Sequence, residues 1–119
     1  MITGLDHVQV AIPAGGESAA RQYYVNVLEM EEVPKPAALA QRGGCWFTSG
    51  AAVLHLGVEE PFTPAKKAHP AFLVTDLDAL AAALENEGAS ITHSDGELPG
   101  IRRFHTFDPF GNRLEFQQA

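Results

Sequence analysis

One cysteine, Cys45, is too few for an internal disulfide, and such sparing use fits a reducing, cytoplasmic setting. No apolar run approaches the length of a membrane-spanning helix. The opening Met1-Ile2-Thr3-Gly4 has no signal-peptide pattern and is expected to lead straight into a strand. Cations are scarce: eight Lys and Arg stand against fifteen Asp and Glu, a formal net charge of −7. That balance argues against nucleic acid or an anionic membrane as a partner. Arg42, Lys66, Lys67, Arg102 and Arg103 still form local basic spots able to meet a small anion. What remains is a chain of 119 residues, 45% hydrophobic, which is enough for a single domain over residues 1–119 with its own core.

Strand and helix periods alternate along it. Leu5 to Ile12 reads as a strand, with Val8, Val10 and Ile12 on one face and Leu5, His7, Gln9 and Ala11 on the other. Glu17 to Leu28 reads as a helix whose stripe is Ala20, Tyr23, Tyr24, Val27 and Leu28. Glu31 to Lys35 is a weak strand, restricted to an edge by Pro34 and Pro36. Gly43-Gly44 opens a hairpin, Cys45 to Thr48 and Ala51 to Val58, in which His55 faces away from Leu54 and Leu56. After a connector with Pro61 and Pro64, the order repeats. His69 to Val74 is a strand, and Thr75-Asp76-Leu77-Asp78 resembles a capping box that starts a helix ending near Gly88. Ser90 to Thr92 and Ile101 to Phe107 are strands. Asp108-Pro109-Phe110-Gly111-Asn112 is dense turn chemistry, and the final strand carries Glu115 between Leu114 and Phe116.

The repeat predicts an α+β fold of two βαβββ modules in tandem, about residues 4–58 and 68–118, with curved mixed sheets around a metal-binding cavity. Polar singletons mark equivalent places in it. His7 and His69 lie in the first strand of each half, and His55 and Glu115 in the last. Each falls on the face turned away from the helices. Taken singly, each is explained by a solvated or hydrogen-bonded side chain. Taken together, His7, His55, His69 and Glu115 form a ligand set for one divalent ion. Imidazole and carboxylate suit Zn, Ni, Co, Fe or Mn, and no thiolate competes.

The opening Leu5-Asp6-His7-Val8, the pair Tyr23-Tyr24, Leu54-His55-Leu56, Ala68-His69 and Asp108-Pro109-Phe110-Gly111-Asn112 followed by Leu114-Glu115 together resemble the vicinal oxygen chelate superfamily. This is the glyoxalase/bleomycin-resistance/dioxygenase fold, and the resemblance covers nearly the whole chain. It implies paired βαβββ modules, a homodimer for so short a chain, and metal at His7, His55, His69 and Glu115. Glu29 departs from it, since a Gly usually stands there, which bears on the helix exit and not on the site.

The resemblance implies a metal that chelates vicinal oxygens of a small polar or anionic substrate as a Lewis acid. Glyoxalase-like lyases and isomerases move a proton beside a carbonyl through an enediolate or enolate, using four protein ligands. Extradiol dioxygenases use two His and one carboxylate; a fourth ligand at His55 favours redox-neutral chemistry. Fosfomycin-modifying enzymes share the opening Met1-Ile2-Thr3-Gly4-Leu5-Asp6-His7, but use three ligands, and the thiol-transferase type has Thr where Gln9 stands. Bleomycin-binding members lack the ligands. Glu115 is the expected base, with His55 as the substitute. Gln9, Trp46, Arg103 and His105 are the expected substrate-binding positions, Arg103 and His105 because they alternate on the strand before the Asp-Pro turn.

Overall fold

The computed structural model describes all residues, Met1–Ala119. They divide into two compact units, Met1–Pro64 and Ala65–Ala119. Each carries one four-stranded mixed sheet and one principal helix, so the chain is two tandem βαβββ modules. No helix is long and apolar enough to cross a membrane.

Module one contains β1 (Val8–Ile12), α1 (Glu17–Arg21), a π-helical continuation (Gln22–Val27), β2 (Glu31–Val33), a short α2 (Ala37–Ala40), β3 (Cys45–Ser49) and β4 (Ala52–Val58). The sheet order is β1-β4-β3-β2. β1 runs parallel to β4, and the two hairpin neighbours are antiparallel. Parallel pairing of β1 with β4 requires the chain to cross over, and the helix makes that crossing. Val10, Ile12, Cys45, Phe47, Leu54 and Leu56 are buried with Ala20 and Tyr24. Tyr24 stacks on Phe47 at 5.7 Å, which fixes the helix against the sheet. Full burial of each Leu or Phe contributes about 1.5–3 kcal/mol.

Three local features differ from the sequence-based expectation. β1 starts at Val8, so His7 stands just before the strand and Leu5 is exposed. The helix widens after Arg21: Leu28 N–H donates to the Tyr23 carbonyl, an i→i−5 bond. The tyrosine stripe survives, because Ala20, Tyr23 and Tyr24 are still the buried set. The segment Ala37-Ala38-Leu39-Ala40, unassigned by pattern, forms α2, as its strong helix formers allow.

Gly44 shows why the β3 hairpin opens on paired glycines. Its φ is +83°, and a Cβ there would fall 2.0 Å from the Leu56 carbonyl. Its N–H donates to Glu17 Oε2 at 2.9 Å, tying the start of α1 to the sheet. That bond is the main reason the Glu17 carboxyl is held below its ordinary value.

Module two contains β5 (Ala71–Val74), α3 (Leu77–Asn86), β6 (Thr92–His93), β7 (Arg103–Phe107) and β8 (Arg113–Gln118), in sheet order β5-β8-β7-β6. Its core is Phe104, Leu114 and Phe116 with Leu77, Ala81 and Leu84 of α3. Phe116 touches both Phe72 and Phe104. Asp76 is the N-cap of α3, its Oδ1 accepting from Ala79 N–H at 3.0 Å. Gln118, from the end of β8, adds a second cap by accepting from Leu77 N–H.

The turn before β8 organises this module. Asp108 Oδ1 accepts from the N–H groups of Phe110 and Asn112, both at 2.9 Å. Gly111 takes φ +92°, and Asp108 N–H donates to the Asn112 carbonyl. Asn112 Oδ1 in turn accepts from Ala65 N–H, and Arg113 N–H donates to the Ala65 carbonyl. The turn therefore sets the β7–β8 register and also anchors the chain entering β5.

Glu29 is the single non-glycine residue with positive φ, at +61°. It closes the helix of module one, and Met30 N–H then donates to the Tyr24 carbonyl. The left-handed conformation costs a side-chain-bearing residue about 1–2 kcal/mol, offset in part because glycine loosens the unfolded chain by about 0.4–1 kcal/mol. Glu29→Gly is expected to raise stability by about 1 kcal/mol or less, read from the midpoint of urea unfolding at unchanged slope. A destabilised variant would show that this exit does not impose the strain its φ implies.

Candidate metal centre

The duplication can be followed residue by residue. His7 stands two positions before Gln9, whose partner across the β1–β4 pair is His55. His69 stands two positions before Ala71, whose partner across β5–β8 is Glu115. On the other side, Trp46 of β3 pairs with His55 as His105 of β7 pairs with Glu115. Each module thus builds a trio at the same three places: His7, His55 and Trp46 in one, His69, Glu115 and His105 in the other.

The two trios have different chemistry. In module one the rings stack: His7 on His55 at 4.0 Å and 23°, and Trp46 on His55 at 3.9 Å and 4°. Asp6 Oδ2 lies 2.8 Å from His7 Nδ1 on an exposed part of the chain. Burial, then the neighbouring His7, lowers the proton affinity of His55, so its imidazole favours the neutral form. Gln9 folds its amide over Gly57, where a Cβ would fall 2.4 Å from Nε2.

In module two the trio converges on a carboxylate. His69, His105 and Glu115 present ligand atoms that all lie within 4.8 Å of one another. His69 Nε2 is 2.9 Å from Glu115 Oε1, and His105 Nε2 is 3.1 Å from the same oxygen. The other oxygen, Oε2, accepts from Gln117 Nε2 at 2.6 Å and from Arg103 Nη1 at 3.3 Å. Glu115 is 4% exposed although it lies opposite the helix-covered face, because its strand is flanked by partners on both sides. Burial alone pushes such a carboxyl up; the bonds from Gln117, His69 and Arg103 outweigh it and hold the group at about 2. His105 is 7% exposed, and burial, with help from Arg113, lowers its proton affinity against the pull of Glu115.

The donors fit a divalent ion. His69 Nδ1 lies 2.8 Å from the Lys67 carbonyl, which can only accept, so this nitrogen carries its proton. Nε2 then faces Glu115 Oε1 either as the second donor of an imidazolium or as a lone pair beside a cation. A backbone carbonyl on the far nitrogen of a ligand imidazole is the usual device for aiming its lone pair at a metal. His105 Nδ1 is buried without a hydrogen-bond partner, so that ring is oriented by the cluster side alone. Two imidazoles and one carboxylate are a donor set suited to Zn, Fe, Ni, Co or Mn.

Of the four ligands expected from sequence, His69 and Glu115 meet in this cluster, and His7 and His55 meet each other in module one. His105, expected to contact substrate, is the third member of the cluster. Arg103, also expected at the substrate, lies against Glu115, and Trp46 covers a face of His55. Sequence reasoning did not assign Gln117 or Asp6. Gln117 carried a signal, since it follows Glu115 by two on a strand and so shares its face. His105 carried one too: counting equally outward from the Asp108–Asn112 turn places it opposite Glu115.

The family model described as Glyoxalase/Bleomycin resistance protein/Dioxygenase superfamily matches residues 4–116. No curated protein matches the chain. Among solved structures, a glyoxalase family protein from Bacillus anthracis is 48% identical, with 100% of this chain and 97% of that one aligned at a TM-score of 0.93. An integron cassette protein from the mobile metagenome of the Halifax Harbour sewage outfall is 25% identical over 99% of this chain and 100% of that one, with a TM-score of 0.78. The genomically encoded fosfomycin resistance protein of Listeria monocytogenes also has a TM-score of 0.78, over 100% of this chain and 95% of that one; at 14% identity it shares the fold alone.

The Glu115 carboxyl supplies a pH dependence in metal-free protein. Its folded value of about 2 lies below the unfolded value of about 4.3, so its contribution is complete above the unfolded value. That contribution is lost as pH falls toward about 2. Urea unfolding of chelator-treated protein between neutral pH and pH 3 is expected to show a steep decline, and Glu115→Gln should flatten it. An equally steep decline in the variant would assign the acid sensitivity to other carboxylates.

Proposed function

Since the chain belongs to the glyoxalase/bleomycin resistance protein/dioxygenase superfamily, we propose that it is a metal-dependent lyase or isomerase acting on a small oxygen-chelating substrate. The observation that carries this is the buried Glu115 carboxylate with two imidazole Nε2 atoms on one oxygen. His69, His105 and Glu115 are the residues that would hold the ion. Bound there, it would supply Lewis-acid polarisation of substrate oxygens.

The chain's own residues would handle the proton. Glu115 is the first candidate base, and its role requires that it give up donors, since a carboxylate held at about 2 is a weak base at neutral pH. His55, the substitute base expected from sequence, lies in the module-one stack with His7 and Trp46 and is not a member of this cluster. Gln117 and Arg103 hold the carboxylate in one rotamer while it waits. A second reading has its own observation: two His and one carboxylate is the donor set of oxygen-using iron sites, which is the dioxygenase branch. A homodimer belongs to the same proposal, motivated by the exposed large apolar side chains Ile2, Leu5 and Leu73.

Metal analysis of protein purified without chelator is expected to find about one divalent ion per chain. His105→Ala and Glu115→Ala should each weaken zinc binding at least about tenfold, the effect expected for loss of a ligand or its orienting partner. Unchanged affinity in His105→Ala together with loss in His7→Ala would return the ligand set expected from sequence. Glu115→Gln should cost turnover of a vicinal dicarbonyl substrate far more than its binding. Oxygen consumption by the iron-loaded protein with a catechol, and no proton exchange with any dicarbonyl, would move the assignment to the dioxygenase branch. Sedimentation equilibrium showing only monomer at micromolar concentration would remove the dimer.

A further inference from the structure

Arg103 is built into module two more firmly than its partners require. Its side chain is 16% exposed, and its backbone N–H donates to Asp95 Oδ1 at 3.0 Å. A guanidinium offers donors on every nitrogen, in a planar fork matched to an oxyanion. Here that fork is poorly filled. Nη1 reaches Glu115 Oε2 at 3.3 Å, longer than the roughly 2.7–2.9 Å of a good charge-assisted bond. Nη2 lies 3.5 Å from Glu97 Oε2, an ion pair beyond ordinary hydrogen-bond length. Nε is buried with no partner at all.

The two carboxylates around it differ in kind. Glu115 is buried and fixed by Gln117 and the imidazoles. The Glu97 side chain is 66% exposed, on the polar loop Ser94–Gly100, and this ion pair is the contact that brings it to Arg103. The loop itself is closed independently, by Ser94 N–H on the Arg103 carbonyl and by Asp95. Glu97 can therefore leave without unfolding the loop.

We propose that Arg103 is the specificity-determining anion receptor of this site, that the substrate carries a carboxylate or phosphate group, and that this group replaces Glu97 on the guanidinium. The inference rests on the proposed function only for the vicinal oxygens beside that group. In a chain with net charge −7, a half-satisfied guanidinium next to the cluster is the feature that would select an anion over a neutral analogue of the same shape. Glu97 acts as a placeholder: it keeps the arginine partly neutralised while the site is empty, and it competes with the ligand.

The test compares 2-oxobutyrate with the neutral 2,3-pentanedione by calorimetry, on zinc-loaded and on chelator-treated full-length protein. The wild type should prefer the anion. Arg103→Gln should remove about ten- to a hundredfold of affinity for 2-oxobutyrate, a much larger loss than for 2,3-pentanedione. Glu97→Gln should tighten 2-oxobutyrate about two- to fivefold, a gain that a misfolded variant cannot give. The proposal is overturned if Glu97→Gln changes nothing, if Arg103→Gln weakens both probes equally, or if 2-oxobutyrate fails to bind either form at millimolar concentration. Should zinc not bind at all, the metal reading falls alone, and an anion preference in chelator-treated protein that Arg103→Gln abolishes still upholds the receptor.

Discussion

A carboxylate kept charged out of water is the constraint on which module two depends. Desolvating an ion costs several kcal/mol, and an unpaired buried charge is not tolerated. Glu115 meets that demand by sitting on an inner strand, where the neighbour on one side brings His69 and the neighbour on the other brings His105 and Arg103. Gln117, two residues along the same strand, adds the shortest of the four bonds. The three donors from neighbouring strands, His69, His105 and Arg103, require the strand register to be right. The register is fixed in turn by the Asp108–Asn112 turn, whose side chains close the hairpin and hold Ala65 at the start of the module. Site and fold are thus linked through backbone geometry: a slip of one residue would turn Glu115 into the helix-covered core.

Much of this was legible in the sequence, for identifiable reasons. Alternation of apolar and polar residues put His55 and Glu115 on the face opposite Leu54, Leu56, Leu114 and Phe116, and the structure keeps that division. The repeated order of elements gave the two modules. The flag on Glu29 was legible as well, since a residue standing where glycine is usual has φ +61°. What periodicity could not give was which residues face each other across strands. That depends on turn closure, so the place of His105 opposite Glu115 follows from counting outward from the Asp108–Asn112 turn and not from alternation. The widening of the first helix was hidden for a similar reason: Tyr23 and Tyr24 are adjacent, and either of two helical pitches buries both.

Arg103 and Gln117 sharpen the difference between a site that is present and one that is poised. Both act on Oε2, while the imidazoles act on Oε1, so the carboxylate is divided into two functional halves. The two halves share one delocalised charge, so the donors on both oxygens act together in keeping the group ionised. One oxygen thus faces the imidazoles that could share an ion with it, and the other faces the guanidinium and the amide.

The equivalence of Trp46 with His105, and of His55 with Glu115, has a wider consequence. The same backbone scaffold, folded twice in one chain, carries an aromatic stack in one copy and a charged cluster in the other. Both modules keep the same strand order and pairing although these three places differ, because each buries the opposite sheet face against its helix. Chemistry here is modular in the literal sense: it can be rewritten at a few side chains without renegotiating the fold. Two copies of one strand pairing in a single chain leave the second set of positions free to carry side chains quite unlike those of the first.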